Sequence, residues 1–487
     1  MKLGNSLTAL VLSALLLGAA VSANAATRDI NIYGCSAQFF LWSTLAPGFL
    51  TASGCTVGTP AYDSTGQTHF MVTGTSCSAF AGDTVNIRVT YHTSNDAIWS
   101  LNGVKDPENT KPCANGFQRQ MASTVSGSLV TGTACTTVTL GASDEGYKYF
   151  TQQTHGHQYG MWNASTSTQG PWINRCFTPV GTNPTACSCI DPRTSTNVGC
   201  EPAVDGSDLS YYNPIVDPTA FYVNKAVTIT RCVTSNGTQG DMCTATTQAH
   251  DCTGPGATGV CGTPEVLDNI SRSMAVQIFT GQAYNWTDLG AAFTTSLPIV
   301  ACMRHTGAGT HITFDYAAMG DTHGWLPASV LNSESTSSPT AYFYDTITTM
   351  LGCVNGVTGA STTGGSAIGA IGYTDADRST SLGLHTSMLN YNGVLPSRRN
   401  VRNGLYDDFW SVNYLYYNPT YNPVGSATYQ VFNAFYNYEN DPAKITTLGS
   451  GTTNKGLFWA TVGEMVYMKN GADLYPGYVG ATTPQTP

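Results

Sequence analysis

Two short segments far apart in the chain carry the residues that could bind an anion. The sequence RHTGAGT occupies residues 304–310, directly after an apolar run at residues 297–303. An arginine before a Gly-x-Gly-Thr turn that opens a helix suits an oxyanion, because the guanidinium, the backbone N–H groups and the helix start all offer positive charge. We therefore expect one wall of an anion site to contain Arg304, Gly307, Ala308, Gly309 and Thr310.

The second segment, GASD at residues 141–144, closes a run that is typical of a β-strand and ends in Asp144. A carboxylate beside a bound anion is repulsive unless that anion still carries a proton, which the carboxylate can accept in a hydrogen bond. The alternative is an ordinary turn aspartate that caps a helix. The pair of segments predicts a site for a protonated tetrahedral oxyanion, with phosphate as the expected ligand.

The composition limits the partners that the chain can have. Only 10% of its 487 residues are charged and the net charge is −10, so neither nucleic acid nor an anionic membrane surface is an expected partner. The chain has 15 cysteines, a number that indicates an oxidising compartment and leaves one thiol outside any set of internal disulfides. The pairing itself cannot be deduced from the sequence.

The first 25 residues have the pattern of a secretory signal. Lys2 supplies the positive charge, residues 7–20 form a short apolar stretch, and Ala23-Asn24-Ala25 is a small-x-small cleavage site. An uncleaved anchor is the alternative. We expect cleavage after Ala25 and a periplasmic or secreted protein.

Strand and helix patterns predict the architecture. Strands at residues 29–34, 84–91 and 136–140 each end in a small or polar loop, which indicates an open α/β sheet with its binding crevice at the carboxyl ends of the strands. Residues 147–215 read as an irregular, disulfide-bonded insertion. Further along, helices are predicted at residues 265–280 and 341–351, and strands at residues 219–224 and 367–373.

Five segments together resemble a known family: residues 33–39, 141–144, 278–288, 304–314 and 369–373. The chain is similar to the phosphate-type substrate-binding proteins of bacterial ABC importers, within the type II periplasmic-binding-protein superfamily. The resemblance implies an α/β, two-lobed periplasmic-binding-protein-like fold with disulfide-stapled insertions and the ligand between the lobes. Residues 26–218 plus 381–487 are expected to form lobe 1, and residues 219–380 lobe 2.

The resemblance also assigns ligand contacts. It places a side-chain donor and a backbone N–H at Gln38 and Phe39, a hydroxyl or amide at Ser94 or Asn95, the proton-accepting carboxylate at Asp144 and the anion-pairing guanidinium at Arg304. Two positions depart from the family pattern: Gln38 replaces a threonine and Ala308 replaces a serine. The loss of one hydrogen bond to a charged group costs about 1.5–3 kcal/mol.

The expected function is therefore an exported, monomeric solute-binding protein that captures inorganic phosphate for uptake by an ABC importer. The alternative is a secreted surface or interaction protein that kept the fold without a transport role. No cofactor, metal or enzymatic activity is expected. His155 and His157 have no acidic or cysteine partner at metal-ligand spacing, so a metal-dependent phosphatase is the weakest hypothesis.

Overall fold

The computed structural model describes most of the chain. The described residues are 25–63, 68–106, 112–150, 156–159, 172–175, 177–188, 190–191, 196–197, 199–234, 239–242, 257–294, 296–305, 307–320, 341–344, 346–356, 369–448, 455–469 and 476–482. The predicted signal segment up to residue 24, His155 and Thr306 lie outside them. Among the described residues, no helix has both the length and the apolar character that a membrane crossing requires.

The strands are numbered in chain order. They are β1 Thr27–Gly34, β2 Thr56–Val57, β3 Ala61–Tyr62, β4 His69–Cys77, β5 Asp83–Tyr91, β6 Gln118–Ser126, β7 Leu129–Thr137, β8 Leu140–Ser143, β9 Gly156–Tyr159, β10 Trp172–Arg175, β11 Ile190–Asp191, β12 Thr196–Asn197, β13 Ser210–Tyr212, β14 Val216–Asn224, β15 Thr228–Ile229, β16 Arg231–Thr234, β17 Gln239–Met242, β18 Ala257–Cys261, β19 Glu265–Val266, β20 Asn269–Ile270, β21 Val300–Arg304, β22 Ala341–Tyr344, β23 Ala370–Asp375, β24 Thr386–Met388, β25 Asn390–Tyr391, β26 Trp410–Val412, β27 Tyr414–Tyr417, β28 Tyr467–Met468 and β29 Gly477–Tyr478.

Among the described residues, the α-helices are fewer than the strands. The α-helices are α1 Ser36–Ala52, α2 Ser94–Leu101, α3 Arg272–Phe279, α4 Gly309–Thr313, α5 Ile347–Asn355, α6 Arg398–Arg402, α7 Ala427–Glu439 and α8 Pro442–Thr446. A π-helical turn, Phe314–Met319, continues α4. A 3-10 helix, Ala376–Ser381, follows β23.

The first lobe is built on a ten-stranded sheet with the order β13-β27-β8-β1-β5-β4-β3-β7-β6, and β2 pairs with β4. At its centre β1 runs parallel to both β5 and β8. Side chains of β1 and β5 such as Ile30, Ile32 and Ile87 are buried in the largest core cluster of the described residues, together with apolar side chains of α1 and α7. The parallel pairing brings the carboxyl ends of β1, β5 and β8 to the same edge of the sheet, where the crevice rule places a ligand.

The second lobe is built on a sheet with the order β22-β21-β23-β14-β24, and β26 pairs with β14. β21 runs parallel to β22 and β23, so the ends of these strands also share one edge. A two-lobed α/β architecture with disulfides is thus confirmed. Chain segments between β13 and β14 and between β26 and β27 connect the two sheets, and Asn413 in the second of them donates its N–H to the carbonyl of Ile215 in the first at 2.9 Å.

The predicted lobe boundary at residue 380 is wrong. Thr386 of β24 pairs with Asn224, and Trp410 of β26 pairs with Pro218, so both strands belong to the second sheet. The apolar side chains of Val401 and Phe409 are buried in the core of that lobe. The chain returns to the first sheet at Tyr414, where β27 pairs with β8, and Ala460 and Met465 later contribute again to the second core.

Three element predictions also differ from the structure. The helix expected at 265–280 is limited to Arg272–Phe279, and two short strands precede it. Residues 341–344 form β22, and the helix begins only at Ile347. The strand expected at 136–140 is the end of β7 and the start of β8. In each case tertiary pairing of short segments overrides the local periodicity.

Disulfide chemistry, expected from the cysteine count, is present in both lobes. The bonded pairs include Cys55–Cys77, Cys113–Cys135, Cys187–Cys200 and Cys302–Cys353. Cys302–Cys353 ties β21, which carries Arg304, to α5. Among the described residues, Cys35 is a free and buried cysteine.

Candidate functional site

The carboxyl end of β1 approaches β8 closely. Gly34, the last residue of β1, has a φ of +141°, and a Cβ added there would lie 2.0 Å from the carbonyl oxygen of Ala142. Only glycine permits this approach. The N–H of Cys35 then donates to the same carbonyl at 2.8 Å, and α1 begins at the next residue. The start of α1 is therefore fixed against β8, the strand that ends one residue before Asp144.

Ser94, the first residue of α2, joins the two lobes. Its Oγ donates to Asp144 Oδ2 at 3.4 Å and accepts the backbone N–H of Asp144 at 3.2 Å. The same Oγ accepts the backbone N–H of Gly309, from the second lobe, at 3.2 Å. A Cβ on Gly309 would lie 2.5 Å from the Cβ of Asp144. The lobes thus touch at these three residues.

Asp144 is buried, with 4% of its surface exposed. Burial raises its pKa, whereas a hydrogen bond with the Cys35 thiol, the positive charges of Arg304 and Arg378, and the Ser94 hydroxyl act in the opposite direction. Arg304 therefore lies close enough to Asp144 to stabilise its ionised form. Asp144 Oδ1 is buried and receives no hydrogen bond from a nitrogen or oxygen donor among the described residues.

Arg304 ends β21 and is 3% exposed. Its position follows from parallel pairing, which sets Arg304 beside Tyr344 of β22. The guanidinium Nε donates to the carbonyl oxygen of Tyr344 at 3.3 Å. This bond fixes one side of a buried guanidinium whose charge acts on Asp144 and on Asp375.

The turn after Arg304 uses most of its backbone donors within the protein. Ala308 is the N-cap of α4, and its N–H donates to the carbonyl of His305 at 3.0 Å. The N–H of Gly307 donates to Nδ1 of the same histidine at 3.2 Å. Thr310, in the first turn of α4, is 2% exposed, and its Oγ1 has no hydrogen-bond partner among the described residues.

Asn95 is fully buried beside this turn. Its backbone N–H donates to the carbonyl of Gly307 at 3.3 Å, a second bond between the lobes. Its side-chain Oδ1 accepts from Thr93 Oγ1 at 2.5 Å, whereas Nδ2 has no partner among the described residues. The two residues that sequence reasoning left as alternatives, Ser94 and Asn95, therefore both face the second lobe.

Gln38 has a different environment from the one expected of a ligand contact. Its Nε2 donates to the carbonyl oxygens of Ser143 at 3.2 Å and Tyr414 at 2.8 Å, and its Oε1 accepts Trp42 Nε1–H at 2.9 Å. The side chain thus ties α1 to β8 and β27. Burial raises the pKa of the Cys35 thiol well above its ordinary value, and the backbone N–H of Gln38, which bonds that thiol, acts in the opposite direction.

Phe39 is 1% exposed and packs in the lobe 1 core. Its ring lies edge-on to Phe40 and Tyr91, with centroid distances of 5.3 and 5.6 Å. The structure therefore groups Ser94, Asn95 and Asp144 with the turn of the second lobe, while the side chains of Gln38 and Phe39 serve packing. Ligand contact by any of the ten predicted residues remains a prediction.

Sequence reasoning missed Arg378, which crosses between the lobes from the 3-10 helix after β23. Its Nη2 donates to the carbonyl of Ser36 at 3.2 Å, and its guanidinium lies 4.9 Å from the ring centroid of Phe40. Cys35 was missed as well. The signal was present for both, because Cys35 directly follows β1 and Arg378 lies three residues after the end of β23.

Three further carboxylates surround this region. Asp217, Asp375 and Asp377 are buried, and each offers an oxygen within 4.8 Å of the others. Burial and the charges of Asp144 and Asp377 raise the pKa of Asp375 to about 8, while Arg378 and Arg304 oppose the rise. Oxygen ligands at this spacing suit a hard cation. The same geometry is also explained without a cation, if the three carboxyls share protons. The guanidinium of Arg378, whose Nε lies 3.8 Å from Asp377 Oδ1, then supplies positive charge.

A second group, His92, Asp96 and Asp106, also brings three potential metal ligands together. Its charges are already paired, because Arg119 bonds Asp96 and His92 Nδ1 lies 3.1 Å from the same carboxylate. Although burial opposes it, the bonds with His92 and Arg119 lower the pKa of Asp96 to about 2. We interpret this group as an ion-pair network that supports α2.

No protein-family model matches the chain, and no curated protein sequence matches it. The solved structures that match the chain include the following two. An ABC-type phosphate transport receptor from Vibrio cholerae is 15% identical, with a TM-score of 0.29 over 50% of this chain and 73% of the receptor. A phosphate binding protein from Stenotrophomonas maltophilia is 12% identical, with a TM-score of 0.35 over 89% of this chain and 86% of that protein. At such scores the similarity carries no argument about function, which rests on the site geometry.

Proposed function

We propose that the chain is an exported solute-binding protein that binds inorganic phosphate between its two lobes. The observation that carries the proposal is a set of buried polar atoms at the contact between the lobes. They are Asp144 Oδ1, Asn95 Nδ2 and Thr310 Oγ1, and each is without a nitrogen or oxygen partner among the described residues. Buried polar groups are rarely left unsatisfied, so a ligand that both accepts and donates hydrogen bonds is expected there.

A protonated oxyanion has the required groups. Its oxygens accept from the Asn95 amide and the Thr310 hydroxyl, and the nearby Arg304 guanidinium supplies the compensating charge. Its proton is donated to Asp144. A ligand enclosed in this way loses its hydration, and donors from both lobes must replace it.

The carboxylate supplies the selectivity. Sulfate at neutral pH has the same shape as phosphate but no proton, so an ionised Asp144 repels it without gaining a hydrogen bond. We expect phosphate to be preferred over sulfate by about one to two decades in affinity, the equivalent of one hydrogen bond to a charged group.

The direct test is the phosphate content of the purified protein. Colorimetric determination of phosphate released on denaturation is expected to give about one phosphate per chain, or an empty protein that takes up phosphate in isothermal titration. A chain that neither contains nor binds phosphate contradicts the proposal.

Export and delivery to an ABC importer belong to the same proposal. They rest on the sequence pattern of residues 1–25 and on the family resemblance. The alternative, a secreted interaction protein that kept the fold, is favoured by one observation: the Gln38 side chain is fully engaged in bonds to Ser143, Tyr414 and Trp42. Absence of oxyanion binding in the titration would support that alternative.

A further inference from the structure

Lobe 1 contains a cavity of about 690 Å³ that lies away from the contact between the lobes. It is bordered by Thr27, Asp29 and Asn31, which alternate along one face of β1, starting at its first residue. The carboxyl end of the same strand leads to Cys35 and the candidate phosphate site. The cavity and that site therefore lie at opposite ends of β1. A cavity of this volume is of the size that binds small organic ligands.

Aromatic and aliphatic side chains form the apolar part of the cavity. Leu101 and Val138 are buried, and the rings of Phe117 and Tyr421 meet edge-on with centroids 5.0 Å apart. Tyr421 is 61% exposed, so its ring is available at the surface. An exposed aromatic ring beside a cavity provides a flat apolar surface on which a ligand can stack.

Side-chain amides of fixed orientation form much of the polar part. Asn31 Nδ2 donates to the carbonyl of Thr137 at 2.9 Å. Asn418 Nδ2 donates to the carbonyl of Leu101 at 3.0 Å, and its Oδ1 accepts the N–H of Thr420 at 3.0 Å. Each amide retains further donor or acceptor capacity, because an amide can make up to four hydrogen bonds. Hydroxyl groups of several threonines add groups that both donate and accept.

The lining is nearly neutral. Asp29 is the one charged side chain among the described residues that line the cavity, and Arg88 Nη1 neutralises it at 2.6 Å. An anionic ligand therefore finds no cation to pair with, and a cationic ligand finds a carboxylate that is already paired. A purely apolar ligand would leave the amides and hydroxyls without partners.

We propose that this cavity binds a neutral oligosaccharide. A sugar ring has an apolar face of C–H groups, which suits the rings of Tyr421 and Phe117, and a rim of hydroxyls, which suits the amides of Asn31, Asn418 and Asn422. The proposal is independent of phosphate binding, because it concerns a different end of lobe 1.

The test is saturation-transfer NMR and isothermal titration of the full chain with three neutral probes: maltotriose, cellotriose and tri-N-acetylchitotriose. At least one is expected to bind, and saturating phosphate is expected to leave its affinity unchanged. Binding of none of the three contradicts the proposal. Competition by phosphate also contradicts it, because the sugar would then occupy the contact between the lobes.

Two variants locate the site. Tyr421→Ala is expected to weaken sugar binding about tenfold, the effect of losing one aromatic contact of roughly 1.4 kcal/mol. Asn422→Trp is expected to weaken sugar binding by about tenfold or more, because the larger indole occupies part of the space that the ligand needs. The matched control is Tyr284→Ala, which removes a tyrosine of similar exposure, 58%, from lobe 2. Unchanged binding in both cavity variants, or an equal loss in the control, overturns the assignment.

Discussion

The hydroxyl of Ser94 in one lobe accepts the backbone N–H of Gly309 in the other at 3.2 Å, while it also bonds Asp144. This small contact places the predicted carboxylate of lobe 1 against the predicted helix start of lobe 2. The contact also requires that residue 309 have no side chain. A side chain at residue 309 would collide with Asp144 Cβ at 2.5 Å and with Ser94 Oγ at 2.8 Å.

Gly309→Ala is therefore expected to hold the lobes apart and to weaken phosphate binding, because the donors of the two lobes can no longer surround one ligand. Small-angle scattering measures the change as a larger radius of gyration with phosphate present. The matched control is Gly352→Ala in α5, where an added Cβ meets nothing within 4 Å. Equal compaction of both variants by phosphate would contradict the steric account.

Arg304→Ala is expected to reduce phosphate affinity by about 3–5 kcal/mol, since it removes the charge partner of a buried anion. Isothermal titration measures the loss. Arg399→Ala, at an exposed position on α6, is the control and should bind like the unmodified chain. An unchanged affinity for Arg304→Ala would show that the anion binds elsewhere.

Gln38→Ala is expected to lower the free energy of unfolding by about 1–3 kcal/mol, because it leaves Trp42 Nε1–H and two backbone carbonyls with unmet hydrogen bonds. Denaturant titration measures the change. Gln282→Ala, at an exposed position, should leave stability unchanged. If Gln38→Ala instead lost phosphate affinity at unchanged stability, the side chain would be a ligand contact, as the family resemblance implies.

The buried carboxyls predict a pH dependence of stability. The charged and titratable groups around Asp375 include Asp144, Asp217, Asp377, Arg378 and Arg304, and burial together with the charges of Asp144 and Asp377 raises its pKa to about 8. A carboxyl with a raised folded-state pKa stabilises the fold fully below its unfolded pKa, and this contribution is lost as pH rises through the folded value. Stability should therefore fall between about pH 4 and pH 8, by at most about 1.4 kcal/mol per pH unit.

Asp375→Asn keeps the shape and removes the titration, so its unfolding free energy should depend less steeply on pH across that range. Thermal and denaturant unfolding at several pH values make the comparison, with Asp208→Asn at an exposed position as the control. A variant that follows the same slope as the unmodified chain would show that Asp375 does not hold the extra proton.

Much of the central architecture follows from local sequence. The strand expected at 29–34 lies within β1, and the one expected at 84–91 lies within β5, because their runs of alternating and β-branched residues are long. Short runs of apolar residues were harder to assign to a helix or a strand. Val266, Ile270, Met274 and Ile278 repeat every four residues, yet the first two lie in strands that pair with distant segments. A periodic pattern over so few residues cannot predict pairing with a strand that is distant in the sequence.

In the candidate site, too, some residues could be predicted from local sequence and others could not. Arg304 and Asp144 were found because strand ends and small-residue turns can be read locally. Asp217 and Asp375 were missed because their closeness depends on the pairing of β14 with β23 in the second sheet. The local sequence of neither strand predicts that pairing, which brings the two carboxyls together. The role of Gln38 also depends on a residue far along the chain, Tyr414, so its hydrogen bonds could not be predicted.

The comparison of phosphate with sulfate, in the unmodified chain and in Asp144→Asn, tests the central claim most directly. At neutral pH the account predicts that phosphate binds about ten to a hundred times more tightly than sulfate, and that Asp144→Asn loses this preference because an amide both donates and accepts. Equal affinities for the two anions in the unmodified chain, or an unchanged preference in Asp144→Asn, would contradict it.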